Sequence, residues 1–191
     1  MSIMDKPQTI SIAIARGYYG MRTRLRTALT FLTGFSAFLP KHITIAPRDL
    51  NTADPQMAED FYRGRYVLGG VLVETHGQSP FSIADAPASW KEKLHCFGWV
   101  RHLSAKEDNL SASHARALIS EWMEQGAGID SDLTWRSDIT ARRLINFLCH
   151  SDTILQNADH EFHMQFRRSL AAHVRYLKRH APLFHCWKSP A

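Results

Sequence analysis

Cysteine is scarce in this sequence. Cys96, Cys149 and Cys186 are odd in number, far apart and form no CxxC pair, which excludes a disulfide framework and a zinc knuckle and points to a reducing compartment. Long apolar runs are missing too. The nearest, Ala28 to Leu39, falls well short of the roughly 20 residues of a membrane span, so no transmembrane span is expected. With 10 Gly and 8 Pro, the chain is neither collagen-like nor low in complexity. GxGxxG and GxxxxGK are absent, which removes support for nucleotide binding, and there is no HExxH. Among 11 histidines, His160 and His163 share a helical face, but a metal needs three or four converging ligands. No metal and no cofactor are expected.

What is present is a chain of 191 residues, 45% of them apolar, enough for one self-sufficient core. Its charge is unevenly spread. Residues 1–50 carry seven basic and two acidic groups, residues 51–160 carry ten and fifteen, and residues 161–191 carry six and one. Basic ends suit an anionic partner, whether an acidic polysaccharide, a phosphate backbone or a membrane surface; the plainer alternative is a solvated, Arg-rich helix face. Arg22, Arg24 and Arg26 before the apolar stretch resemble the start of a secretory signal. Twenty residues precede Met21, so a cytoplasmic location is expected, with the periplasm as the alternative.

The fold expected is mainly α with one small β element. A helix is expected over Ile12–Phe38, ended by Pro40, and then an irregular stretch, APRDLNTADPQMAEDF, broken by Pro47 and Pro55. YVLGGVLVETHG, residues 66–77, reads as two short strands or one bulged hairpin interrupted by Gly69-Gly70. Four amphipathic helices follow. The first is capped by Ser89 and carries Trp90, Leu94 and Phe97. The second carries Ala115, Leu118, Ile119, Trp122 and Met123 and ends at Gly126 and Gly128. The third starts near Ser137 with Ala141, Leu144, Ile145 and Leu148 on its apolar face. The last runs from Asp159 to His180 with Phe162, Phe166, Leu170, Val174 and Leu177.

Aromatic and basic residues cluster in two places. HCFGWVRHL (95–103) sets Trp99 beside Arg101 and His102, and WRSDITARRLINFL (135–148) sets Trp135 ahead of Arg142 and Arg143. A tryptophan face can stack a sugar ring, and an arginine fork matches a carboxylate or sulfate. The competing reading makes both tryptophans core anchors and the arginines surface groups pairing with Asp138 or with glutamates. Cys96, among apolar groups, reads as a structural thiol.

At these residues the sequence resembles the N-terminal part of bacterial heparinase II/III-like proteins. The resembling segments are ITIAPRDLNTADP (43–55), FYRGRYVLGG (61–70), QSPFSI (78–83), LHCFGWVRHL (94–103), TWRSDITARRLINFLCHS (134–151) and FRRSLAAHVRYLKR (166–179). The resemblance implies a partial (α/α) toroid of antiparallel helical hairpins with a β-hairpin near residues 66–76. It divides the chain into a basic arm or helix (1–40), a helical domain (41–182) and an unmatched tail (183–191). It implies kinship with polysaccharide lyases that cleave uronic-acid glycans by β-elimination, removing a proton beside the carboxylate as the C4 oxygen departs.

None of the family's catalytic Asn, His or Tyr positions maps onto this chain, so no catalytic residue is assigned. The chain reads as a truncated lyase that does not cleave by itself. Trp99, Arg101, His102, Trp135, Arg142 and Arg143 are the substrate-binding candidates, and an anionic polysaccharide is the implied partner. An open part of a ring would also self-associate or accept a completing chain. The alternative is a small helical interaction module whose basic arm meets nucleic acid or an anionic membrane surface; no nucleic-acid-binding motif supports it.

Overall fold

Two adjacent glycines decide the one β element. In the computed structural model, which describes residues 43, 46–125 and 131–180, strands β1 (Arg65–Leu68) and β2 (Val71–Glu74) pair antiparallel with Tyr66 opposite Val73. Gly69 and Gly70 both take positive φ, 61° and 80°, the conformation a two-residue hairpin turn demands and other residues resist. The hairpin is therefore tight rather than bulged. Tyr66 and Leu68 point inward and Val67 outward, as the two-residue period of a strand requires.

Eight helices occur among the described residues, in the order α1 (Gln56–Tyr62), α2 (Ala88–Cys96), α3 (Val100–Ser104), α4 (Asn109–Gln125), α5 (Ser131–Thr134), α6 (Ser137–Cys149), α7 (Ser151–Leu155) and α8 (His160–His180). The protein is mainly helical with a small two-stranded antiparallel sheet. No described helix is long and apolar enough to cross a membrane. The helix expected over Ile12–Phe38, the 183–191 tail and the stop at Gly126 and Gly128 lie outside the described residues.

Four local expectations are corrected. First, α1 forms inside the stretch read as irregular. Pro55 precedes it, where a missing N–H costs nothing, and the Asp54 carboxylate accepts from the Gln56 N–H at 2.9 Å. Second, Ser89 does not cap α2. The helix already begins at Ala88, and the Pro87 carbonyl accepts from the Lys91 N–H.

Third, α6 buries Ile139, Thr140, Arg143 and Phe147, while Ile145 is 54% exposed. Its inward face is thus turned by about one residue from the apolar one. Fourth, the C-terminal half of α8 buries His173 and Tyr176 instead of Val174 and Leu177. The two helices meet there through a polar pair, Arg143 Nε donating to His173 Nε2 at 2.7 Å, which lets both side chains take inward positions.

Contacts between α6 and α8 run in opposite order, with Trp135 just before α6 against Tyr176, Arg143 against His173 and Phe147 against Phe166. The two helices are therefore an antiparallel hairpin. α2 packs on α6, and α4 packs on α3 and α7. At their meeting point Phe97 lies within 6 Å of the rings of Phe81, Trp99, Trp122 and Phe147. The β-hairpin docks through Tyr66, stacked on Phe61, and through Trp90, whose Nε1 donates to the Tyr66 carbonyl at 3.0 Å.

Candidate functional site

The segment joining α2 to α3 makes an unusual turn. Phe97 closes α2 in the left-handed region, with φ 58° and ψ 20°, a conformation costing a non-glycine residue about 1–2 kcal/mol. Complete burial of its ring offsets that cost. After this turn, Gly98, Trp99, Arg101 and His102 line an open cleft of about 320 Å³. Lys93 from the end of α2 and Arg142, Ile145 and Asn146 from α6 also line it, and the β-hairpin contributes Val67 to Gly69.

Four of the residues expected from the sequence, Trp99, Arg101, His102 and Arg142, thus meet at one place. Lys93 and Arg142 are exposed, and neither has an ion-pair partner among the described residues. Arg101 is nearer the interior. Its Nε lies 3.4 Å from Asp49 Oδ2, which also meets His150 Nε2 at 3.1 Å. Burial works to raise the Asp49 pKa, but hydrogen bonds from Asn51 and the Arg101 charge leave it below the usual carboxylate value. His102 accepts from the Asp54 N–H through Nδ1 at 3.0 Å. Burial, aided by the Arg101 charge, lowers its pKa, so it is a neutral wall group at pH 7. Among the described residues no Asp or Glu lines the cleft.

Trp99 contributes little surface. It is 2% exposed, its Nε1 donates to the Leu94 carbonyl at 3.0 Å, and its ring packs on Phe97 and edge-on to Phe61. Its buried face is not available as a plate for sugar stacking. Trp135 and Arg143 lie away from the cleft, in the core, with exposures of 2% and 0%. The Arg143 guanidinium sits 4.4 Å from the Trp122 ring centroid and 5.2 Å from that of Trp135. Its Nε donates to His173 Nε2 at 2.7 Å, and Nη1 donates to the carbonyls of His95 and Thr134, each at 3.0 Å. Because His173 Nε2 is an acceptor, Nδ1 carries the proton and donates to the Ser169 carbonyl at 2.6 Å. Burial pulls the Arg143 pKa down to about 9, which still leaves it charged at neutral pH, and burial together with that charge holds His173 neutral.

Sequence reasoning missed Lys93, Gly98, Asn146, Asp49 and His150. Gly98 stands inside HCFGWVRHL, and a glycine between two aromatics was the signal there; the others carry no local signal. His160 and His163 line a second cavity of about 420 Å³ with Asp152 and Arg167. Among the described residues no group of three or more His, Cys, Asp or Glu could hold a metal ion. Cys96 is a buried thiol whose pKa burial raises, and its carbonyl accepts from Asn146 Nδ2 at 2.8 Å.

Comparison of the chain with protein-family models, with curated proteins and with solved structures gives no match. The site is therefore read from its own geometry.

Proposed function

We propose that this chain binds the acidic groups of a uronic-acid or sulfated glycan in the cleft between α2, α3 and α6, as the N-terminal helical part of a heparinase II/III-like lyase does in the reading its sequence suggests. The observation that carries the proposal is the convergence of Lys93, Arg101 and Arg142 on one open cleft without a lining carboxylate among the described residues. Lys93 and Arg142 have no protein counter-charge among the described residues and Arg101 is only partly compensated by Asp49; such cations attract anions and hold them by charge-assisted hydrogen bonds. An arginine fork suits the planar carboxylate of a uronate.

The α6/α8 hairpin supports placing these helices at the start of a toroid. In that arrangement a neighbouring hairpin or a completing chain covers apolar groups outside the cleft such as Val174, 39% exposed. Binding without cleavage is expected, since no cleft residue matches a catalytic position of the family.

Calorimetry with alginate and heparin oligosaccharides, beside duplex DNA at the same ionic strength, tests the proposal. Saturable glycan binding is expected, with Lys93→Ala/Arg142→Ala weakening it about tenfold. Incubation with the same glycans should leave the ultraviolet absorbance of unsaturated uronates unchanged. DNA binding that survives the double substitution, with no glycan binding, overturns the proposal.

A further inference from the structure

Arg101 and Asn146 flank a bare backbone atom. A Cβ built on Gly98 would stand 3.1 Å from Arg101 Nη2 and 3.6 Å from Asn146 Nδ2. Gly98 does not have positive φ, so its conformation is open to any L-residue; what the glycine supplies is space. Refining the reading of the cleft as an anion site, we infer that the ligand's acidic group seats over Gly98, between Arg101 Nη2 and the Asn146 side-chain amide, and that the missing side chain at Gly98 determines what can enter.

The donors are ready for such a ligand. The Asp49 carboxylate is already shared, with Oδ1 accepting from the Asn51 N–H at 2.9 Å and from Asn51 Nδ2 at 2.6 Å, while Oδ2 meets His150. Its approach to Arg101 Nε, 3.4 Å, is an ion pair without a hydrogen bond. The terminal nitrogens of Arg101 have no hydrogen-bond partner among the described residues. Asn146 Nδ2 spends one hydrogen on the Cys96 carbonyl and keeps the second. An oxyanion over Gly98 would accept from Arg101 Nη2 and from the second hydrogen of Asn146 Nδ2, while Nε faces Asp49. The Asp49 pair leaves the guanidinium only partly compensated, and Lys93 and Arg142 add charge to the lining of the same cleft.

The test uses the full chain, labelled with nitrogen-15 and titrated with sodium sulfate and with sodium acetate at constant ionic strength, followed by an alginate tetrasaccharide and a heparin tetrasaccharide. Saturable shifts at the Gly98 amide, the Arg101 guanidinium and the Asn146 side-chain amide are expected. Gly98→Ala should weaken sulfate binding at least tenfold while leaving the thermal unfolding midpoint unchanged or slightly raised. Arg101→Lys, which keeps the charge and loses the fork, should weaken it similarly and provides the reading should Gly98→Ala fail to fold. Absence of sulfate and acetate binding overturns the inference, as does binding that both variants retain. Binding of the small anions at Gly98 with neither the alginate tetrasaccharide nor the heparin tetrasaccharide bound supports this seat and overturns the glycan reading instead.

Discussion

Arg142 and Arg143 are neighbours in sequence and opposites in environment. One stands exposed on the cleft wall with no ion-pair partner among the described residues, and the other is sealed in the core between two tryptophans. A rotation of about 100° around α6 separates them. The core cation donates through Nε and Nη1 to a neutral imidazole and two carbonyls and lies against two ring faces, with no carboxylate partner among the described residues, while its Nη2 makes no hydrogen bond there. The cleft cations have polar donors in excess of acceptors. The same side chain is thus a structural bolt in one region and an unspent donor in the other.

The largest expected effect is on the core side of this comparison. Arg143→Ala should cost about 3–5 kcal/mol in chemical denaturation, because it opens a cavity and leaves the acceptors on His95, Thr134 and His173 unpaired. A loss below about 1 kcal/mol would show that the buried cation is not holding the helices together.

Acidification is expected to have the next largest effect. Burial lowers the pKa of His173 in the folded state, and His102, His114 and His150 move in the same direction. The unfolded chain therefore binds more protons than the native one below about pH 6.5. Stability is complete above that pH and falls as the pH drops through it towards the folded pKa values, by up to about 1.4 kcal/mol per pH unit for each histidine that remains unprotonated. His173→Gln, which keeps an acceptor for Arg143 but cannot titrate, should flatten the profile by about one proton between pH 6.5 and 5. An unchanged slope would remove His173 from this account.

Arg142→Ala should move stability least, within about 0.5 kcal/mol, since its side chain is exposed and has no ion-pair partner among the described residues. Its effect should instead appear in calorimetric glycan binding, as a loss of about fivefold. A large stability loss there would erase the contrast between the two arginines.

Much of the local structure was legible in the sequence. Gly69-Gly70 between two Val-rich runs announced the hairpin, and spacings of three and four announced the long helices and most of their buried residues, among them Trp90, Leu94, Ile119, Trp122 and Phe166. The phase of α6 was not legible, because hydrophobic periodicity scores an arginine as outward and cannot anticipate that Trp122, Trp135, His173 and two carbonyls converge on it. Nor could Pro55 and Pro87 be told apart from helix breakers, because their effect depends on whether they fall inside a helix or just before it. At the site, the aromatic-basic pattern found Arg101, His102 and Arg142, but it could not separate them from Trp135 and Arg143, which share the pattern and lie in the core.

The sequence by itself determined the helical class, the hairpin and the supply of cations, since these follow from backbone preference, periodicity and composition. Only the tertiary structure decided which cations face a cleft and which are buried. That choice depends on where donors and acceptors from segments about 30 to 100 residues apart, such as Arg143 with His173 and Asp49 with His150, come within hydrogen-bonding distance.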